Sequence, residues 1–147
     1  MKYYTGNITP SKNDENTIFV FGSNPEGIHG AGAAKVAVEN FGAIYGIGEG
    51  MQGNAYALPT KDLRVKINNG LRSISEKQII KNIQKLYHCA KEHPTLNFKI
   101  AYRNIESITL NGYSGIEMIN MFIKAGDIPE NIWFSQEWYE YYKKHNG

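Results

Sequence analysis

The chain has 147 residues, the length of one ordinary domain, and its 41% apolar and 20% charged residues can bury a core. Disorder and a long coiled coil are thereby excluded, and no run approaches the roughly 20 apolar residues that span a membrane. A net charge of +2 is too small to mark a nucleic-acid surface by itself.

The first 16 residues, MKYYTGNITPSKNDEN, carry no apolar core of signal-peptide length, so a cytoplasmic location is expected. They read as an extended arm with room for a strand near Lys2–Tyr4. Residues 17–22, TIFVFG, form a continuous apolar, β-branched run that suits a strand buried on both faces. A loop, SNPEGIHGAG, leads to AAKVAVENF, a helix whose small side chains let it sit close to a sheet. Residues 43–46 are expected as a brief strand, followed by a second glycine loop, IGEGMQGN. AYALPT is the next strand, stopped near Pro59, and 63–70 is a polar stretch without assignment.

Ser73 with Glu76 and Ser75 with Gln78 give two overlapping capping-box signals. From there Ile79, Ile80, Ile83, Leu86, Tyr87 and Ala90 keep helical spacing up to His93-Pro94. LNFKIAYRNI alternates as a strand, LNGYSG makes a third glycine loop, and Ser114 with Glu117 caps a helix closed at Gly126. NIWFS is a last short strand and EWYEYYKKH a last, aromatic helix. Alternating strands and helices predict a single α/β domain over 1–147, its sheet covered on both faces. Cys89 stands alone and cannot pair within the chain. With His29, His88, His93 and His145 it shows no metal-ligand spacing, so neither a metal nor a cofactor is expected.

The chain holds 15 glycines, and nine of them lie between positions 22 and 53. Gly30-Ala31-Gly32 opens a helix, where glycine lets a ligand approach the backbone and unpaired N–H groups attract an anion. The pattern is neither a P-loop nor a dinucleotide fingerprint, because Lys35 stands where a third glycine would fall. Gly112-Tyr113-Ser114-Gly115 repeats the strand, glycine loop and helix order and offers a second such site, although Ser114 also serves as a plain N-cap. Tyr113 can stack on a base or cover the core edge. Lys61, just past a strand, is either a base of lowered pKa or part of a solvated turn.

These segments resemble the macrodomain family of ADP-ribose-binding modules over roughly 17–134. Phe19-Val20-Phe21-Gly22-Ser23-Asn24 is similar to its strand ending in an asparagine-bearing loop. His29-Gly30-Ala31-Gly32-Ala33-Ala34 resembles its glycine-rich helix entry. Tyr56-Ala57-Leu58-Pro59-Thr60-Lys61 resembles its strand ending in a Thr-Lys segment, and Ile108–Gly115 its second phosphate loop. The nearest branch is lysine-dependent and includes terminal ADP-ribose glycohydrolases and DNA-ADP-ribosyl glycohydrolase antitoxins.

The resemblance implies a three-layer α/β/α fold around a central mixed sheet. It also implies a cleft for ADP-ribose or a related NAD-derived nucleotide, lined by Gly22, Ser23, Asn24, Gly30, Ala31, Gly32, Ala33, Thr60, Asn111, Gly112, Tyr113, Ser114 and Gly115. Lys61 matches the catalytic lysine. The branch places an acid in the second phosphate loop, where this chain has Tyr113, Ser114 and Gly115. Glu49 or Glu117 is then left as proton donor or acceptor, and Asp14 has no clear match to the family's adenine-reading aspartate.

Three readings follow: a nucleotide-binding module that hydrolyses ADP-ribosyl linkages on protein or nucleic acid, a non-catalytic sponge or sensor of a nucleotide signal, and an interaction domain without a small ligand. The aromatic run of Trp133, Phe134, Trp138, Tyr139, Tyr141 and Tyr142 serves core packing or a homodimer.

Overall fold

The computed structural model describes residues 2–11 and 16–146. Asp14 lies outside them. In chain order the elements are β1 (Lys2–Tyr4), β2 (Thr17–Ser23), α1 (Gly32–Asn40), β3 (Gly50–Gln52) and β4 (Ala55–Pro59), then a 3-10 turn (Ile67–Gly70), α2 (Glu76–Glu92), β5 (Asn97–Ile100), α3 (Gly115–Lys124), β6 (Ile132–Ser135) and α4 (Gln136–Asn146). The chain is therefore α/β, with one mixed sheet of six strands ordered β1-β6-β5-β2-β4-β3. Every neighbouring pair is parallel except β3 against β4.

β2 sits between β5 and β4, and its apolar run is buried on both faces. Successive side chains of a strand point to opposite faces. Ile18 and Val20 accordingly join a core with Ile79, Ile83 and Leu86 of α2 and Met118, Ile119 and Phe122 of α3. Phe19 and Phe21 join a second core with Ala34 and Ala37 of α1 and Ala55 and Ala57 of β4. The alanines of α1 leave its backbone close to the sheet.

The helix ends follow their local chemistry. Of the two overlapping capping signals before α2, Ser75 is the N-cap and accepts from the Gln78 N–H at 3.2 Å. Ser73 instead accepts from the Asp62 N–H at 2.7 Å. The orphan carbonyls at the end of α2 are met by Asn131, whose Nδ2 donates to Ala90 O at 2.8 Å and to His93 O at 3.0 Å. α3 carries the full reciprocal box of Ser114 and Glu117.

Two expectations are corrected. Residues 43–46 form no strand, and the strand β3 lies in the expected second glycine loop. Gln52 pairs with Ala55 across Gly53-Asn54, and Gly53 has φ +59°. A glycine of positive φ at the first turn position makes a tight hairpin, which drew the strand to 50–52. The Ile44 N–H is taken by the Gln52 side chain at 2.7 Å instead of by a strand. The strand expected over 96–105 ends at Ile100. Beyond it Tyr102 stacks on Trp138 at 5.9 Å, and the chain leaves the sheet to run irregularly to α3.

Both ends of the chain close on the same side of the sheet. β1 pairs with β6, the Tyr4 hydroxyl donates to Ile100 O at 2.6 Å, and Tyr3 stacks on Tyr139 at 4.5 Å. Trp138 is fully buried against Phe122 and Phe134. Trp133 lies between the ammonium groups of Lys2 and Lys99, 5.5 and 5.4 Å away. Tyr141 and Tyr142 pack against the larger core. The aromatic run is thus engaged within the chain. Among the described residues no helix is long and apolar enough to cross a membrane. Trp138→Ala should cost about 3–5 kcal/mol, read as a lower denaturation midpoint. An unchanged midpoint would contradict its place in the core.

Candidate ligand-binding cleft

β6, β5, β2 and β4 run parallel, so their carboxyl ends open on one edge of the sheet, where ligands of such sheets bind. A cleft of about 1200 Å³ lies there. One wall is Gly22 and Ser23 at the end of β2 and Asn24 after it, with Gly30, Ala31, Ala33 and Ala34 at the entry of α1. Thr60, Lys61 and Leu63 follow β4, residues 101–111 form the opposite wall, and Glu137 also lines the cleft.

The β2–α1 wall is held by its own side chains. Asn24 Oδ1 accepts from the Ile28 N–H, and Asn24 Nδ2 donates to Ile28 O, both at 2.9 Å. Gly27, at φ +70°, lies where a Cβ would strike the backbone of Gly46 and Ile47. Buried His29 sets Nε2 2.9 Å from Ile47 O and its ring edge-on to Phe21. These contacts fasten the loop to residues 43–48 and leave Gly30 and Ala31 at the cleft.

α1 begins without a cap. Its N-cap is Ala31, which has no acceptor, and no acid stands in the first turn. The Lys35 N–H makes the first helical bond, to Ala31 O at 3.3 Å. The N–H groups of Gly32, Ala33 and Ala34 have no partner within the helix, and Ala31, Ala33 and Ala34 line the cleft. Their donors and the positive end of the helix dipole favour an anion.

The start of α3 is the opposite case. Ser114 Oγ accepts from the Glu117 N–H at 3.1 Å, and Glu117 Oε1 accepts from the Ser114 N–H at 2.9 Å. The Gly115 N–H goes to Ser107 O at 3.1 Å and the Ile116 N–H to Ile105 O at 2.8 Å. All four donors are taken. Gly112, at φ +91°, backs onto Leu71 and Arg72. Tyr113 is buried, donates to Ile74 O at 2.8 Å and carries the Arg72 guanidinium over its ring at 4.7 Å. Gly112, Tyr113, Ser114 and Gly115 therefore do not line the cleft, and neither does Gly32.

Asn111 does reach the cleft and joins a polar floor. Its Oδ1 accepts from the Tyr113 N–H at 2.9 Å and from the Thr109 hydroxyl, and its Nδ2 lies 3.4 Å from the Tyr102 hydroxyl. Tyr102 Oη and Thr60 Oγ1 are 3.1 Å apart. Burial raises the Tyr102 pKa, while the bonds to Thr60 and Asn111 lower it. Gly22 lies under this hydroxyl, and a Cβ there would overlap it.

Ser23 O accepts from the N–H groups of Thr60 at 2.9 Å and Lys61 at 3.3 Å, which sets both residues at the end of β2. The Lys61 side chain lies along Gly70 and lines the cleft. Asp62 next to it takes Arg64 Nε at 3.0 Å and Nη2 at 2.9 Å, and Arg64 Nε also lies 3.2 Å from Glu26. The bonds from Arg64 hold the Asp62 carboxyl down at about 2.

Glu49 and Glu117 lie outside the cleft. Glu49 pairs with Lys85 at 3.8 Å. Glu117 is held below the ordinary carboxylate range, first by the Ser114 N–H and also by Arg72, 2.8 Å away. The carboxylates that do line the cleft are Glu106 and Glu137. Tyr102 is hidden in the sequence by the alternation that extends a strand to residue 105, and Glu106 and Glu137 because only tertiary packing brings them to the cleft. The signal for Glu137 is an acid in the first turn of a helix directly after a parallel strand. Among the described residues no three His, Cys, Asp or Glu side chains gather as a metal site. Exposed Ile28, Ile108 and Leu110 give the cleft an apolar rim. The chain matches no protein-family model, no curated protein and no solved structure.

Gly22→Ala should drive its methyl into the Tyr102 hydroxyl, and adding Tyr102→Phe should recover about 1 kcal/mol or more of the loss as coupling energy in denaturation. Strictly additive costs would count against that contact. The depressed Asp62 pKa contributes stability above the ordinary carboxyl range that is lost as pH falls through about 2. Arg64→Ala should return the Asp62 titration, followed by side-chain carboxyl NMR, to the ordinary range.

Proposed function

We propose that the cleft binds ADP-ribose or a related NAD-derived nucleotide, its diphosphate against the uncapped start of α1 and its distal ribose toward Lys61. The observation that carries this reading is the contrast between the two helix starts. α3 spends its first donors on Ser114, Glu117 and the chain before it, whereas α1 leaves its own donors at a cleft wall. The resemblance of the strand-end segments to macrodomains supports the reading. So does the placing of α1 against one set of β2 side chains and of α2 and α3 against the other, which suits a three-layer, macrodomain-like arrangement. Asn111 and the wall before it take the part first expected of 112–115.

Glu49 and Glu117 are engaged outside the cleft, which supports a sponge or sensor, while the cleft's own carboxylates, Glu106 and Glu137, keep hydrolysis as the second reading. Calorimetry with ADP-ribose should give a dissociation constant in the micromolar range or tighter, with a matching rise in thermal stability. Ala33→Asp should leave the fold as stable as wild type, since an acid suits a helix start, and weaken binding at least tenfold. No heat with ADP-ribose, NAD or cyclic ADP-ribose isomers overturns the proposal. Release of ADP-ribose from modified protein or DNA by wild type, lost in Lys61→Ala, would establish turnover through that amine.

A further inference from the structure

We infer that Asn111 and Tyr102 are positioning residues that make the Thr60 hydroxyl a fixed donor on the cleft floor, so that an oxygen of the bound nucleotide accepts from it. This rests on the nucleotide-binding reading above. The hydrogen-bond directions follow from one backbone group. The Tyr113 N–H can only donate, and it meets Asn111 Oδ1 at 2.9 Å. The Thr109 hydroxyl donates to the same oxygen. This fixes the amide of buried Asn111, because its NH2 group in that place would face the Tyr113 donor. Nδ2 is therefore the atom that turns to Met118 Sδ at 3.5 Å and to Tyr102 Oη at 3.4 Å, and it donates to both. Tyr102 Oη accepts there, so its own proton goes to its other partner, Thr60 Oγ1, at 3.1 Å. Among the described residues Thr60 Oγ1 has no further hydrogen-bond partner, and its proton is left over.

Each member of this relay is held in place. Tyr102 stacks on Trp138, Thr60 and Asn111 are buried, and the Thr60 N–H is bound to Ser23 O at 2.9 Å. All three side chains belong to residues that line the cleft, and so does Lys61, the next residue after Thr60. A hydroxyl that already accepts is a stronger donor, and an ammonium can only donate. The floor here thus calls for an acceptor, an oxygen of the diphosphate or of a sugar. A ligand group that can only donate finds no partner at Thr60, an arrangement that polar sites reject.

Calorimetry with ADP-ribose and with ADP, alongside unfolding midpoints, tests the relay. Thr60→Val should weaken ADP-ribose at least tenfold, and Thr60→Ser, which keeps the donor, by no more than about threefold. Asn111→Asp keeps an acceptor for the Tyr113 N–H but replaces the donor facing Tyr102 by an oxygen. Tyr102 then donates to Asp, Thr60 donates to Tyr102, and the cleft meets a lone pair. That change should weaken ADP-ribose at least tenfold in wild type and no more than about threefold in Tyr102→Phe, where the relay is cut. A Thr60→Val loss shared by ADP supports a diphosphate oxygen as the acceptor, and one confined to ADP-ribose supports an oxygen of the distal ribose. Unchanged ADP-ribose binding in Thr60→Val, or an equal loss in Thr60→Ser, overturns the donor role and leaves the nucleotide reading standing. An equal effect of Asn111→Asp with and without the Tyr102 hydroxyl overturns the relay. A wild type that takes neither nucleotide overturns both the inference and the reading beneath it.

Discussion

Everything at the cleft hangs from the end of β2. This strand is buried on both faces and hydrogen-bonded on both edges by parallel neighbours, so it cannot turn back on itself and must leave through a crossover. Its last residue, Ser23, receives the N–H groups of Thr60 and Lys61 from the end of β4. Gly22 beside it leaves room for the Tyr102 hydroxyl, which in turn meets Thr60 and Asn111. Three loops from three strands are thereby brought together around two residues of one strand.

The two helix starts near this point show how small differences in side chain divide structure from binding. Both follow a glycine-containing turn after a parallel strand. At α3 a serine cap and a glutamate three residues on satisfy the donors internally, and Arg72 fixes that glutamate in turn. At α1 the equivalent positions are Ala31 and Ala34, which cannot accept. The helix is held instead by packing its small side chains on Phe19 and Phe21. Its donors are left for whatever occupies the cleft.

Much of the architecture could be read locally. The buried strand over 17–22, the amphipathic α2 with its Ser75 cap, the Ser114 box and the closing glycine at 126 all follow from residues within a few positions of each other. The hairpin at Gly53-Asn54 was equally local but was hidden among eight other glycines. The wall over 101–111 was not legible, because its path depends on Trp138 and Thr60, 36 and 42 residues from Tyr102. The same distance effect hid Tyr102 and Glu137 as cleft residues, and it turned Gly112, Tyr113, Ser114 and Gly115 inward.

The sequence by itself determined most of the strands and helices and the serine caps of α2 and α3, because capping and periodicity are short-range matters of residue type. Only the tertiary structure decided which loops share one cleft. That depends on the strand order β6-β5-β2-β4, which is set by side chains meeting across the core from distant parts of the chain.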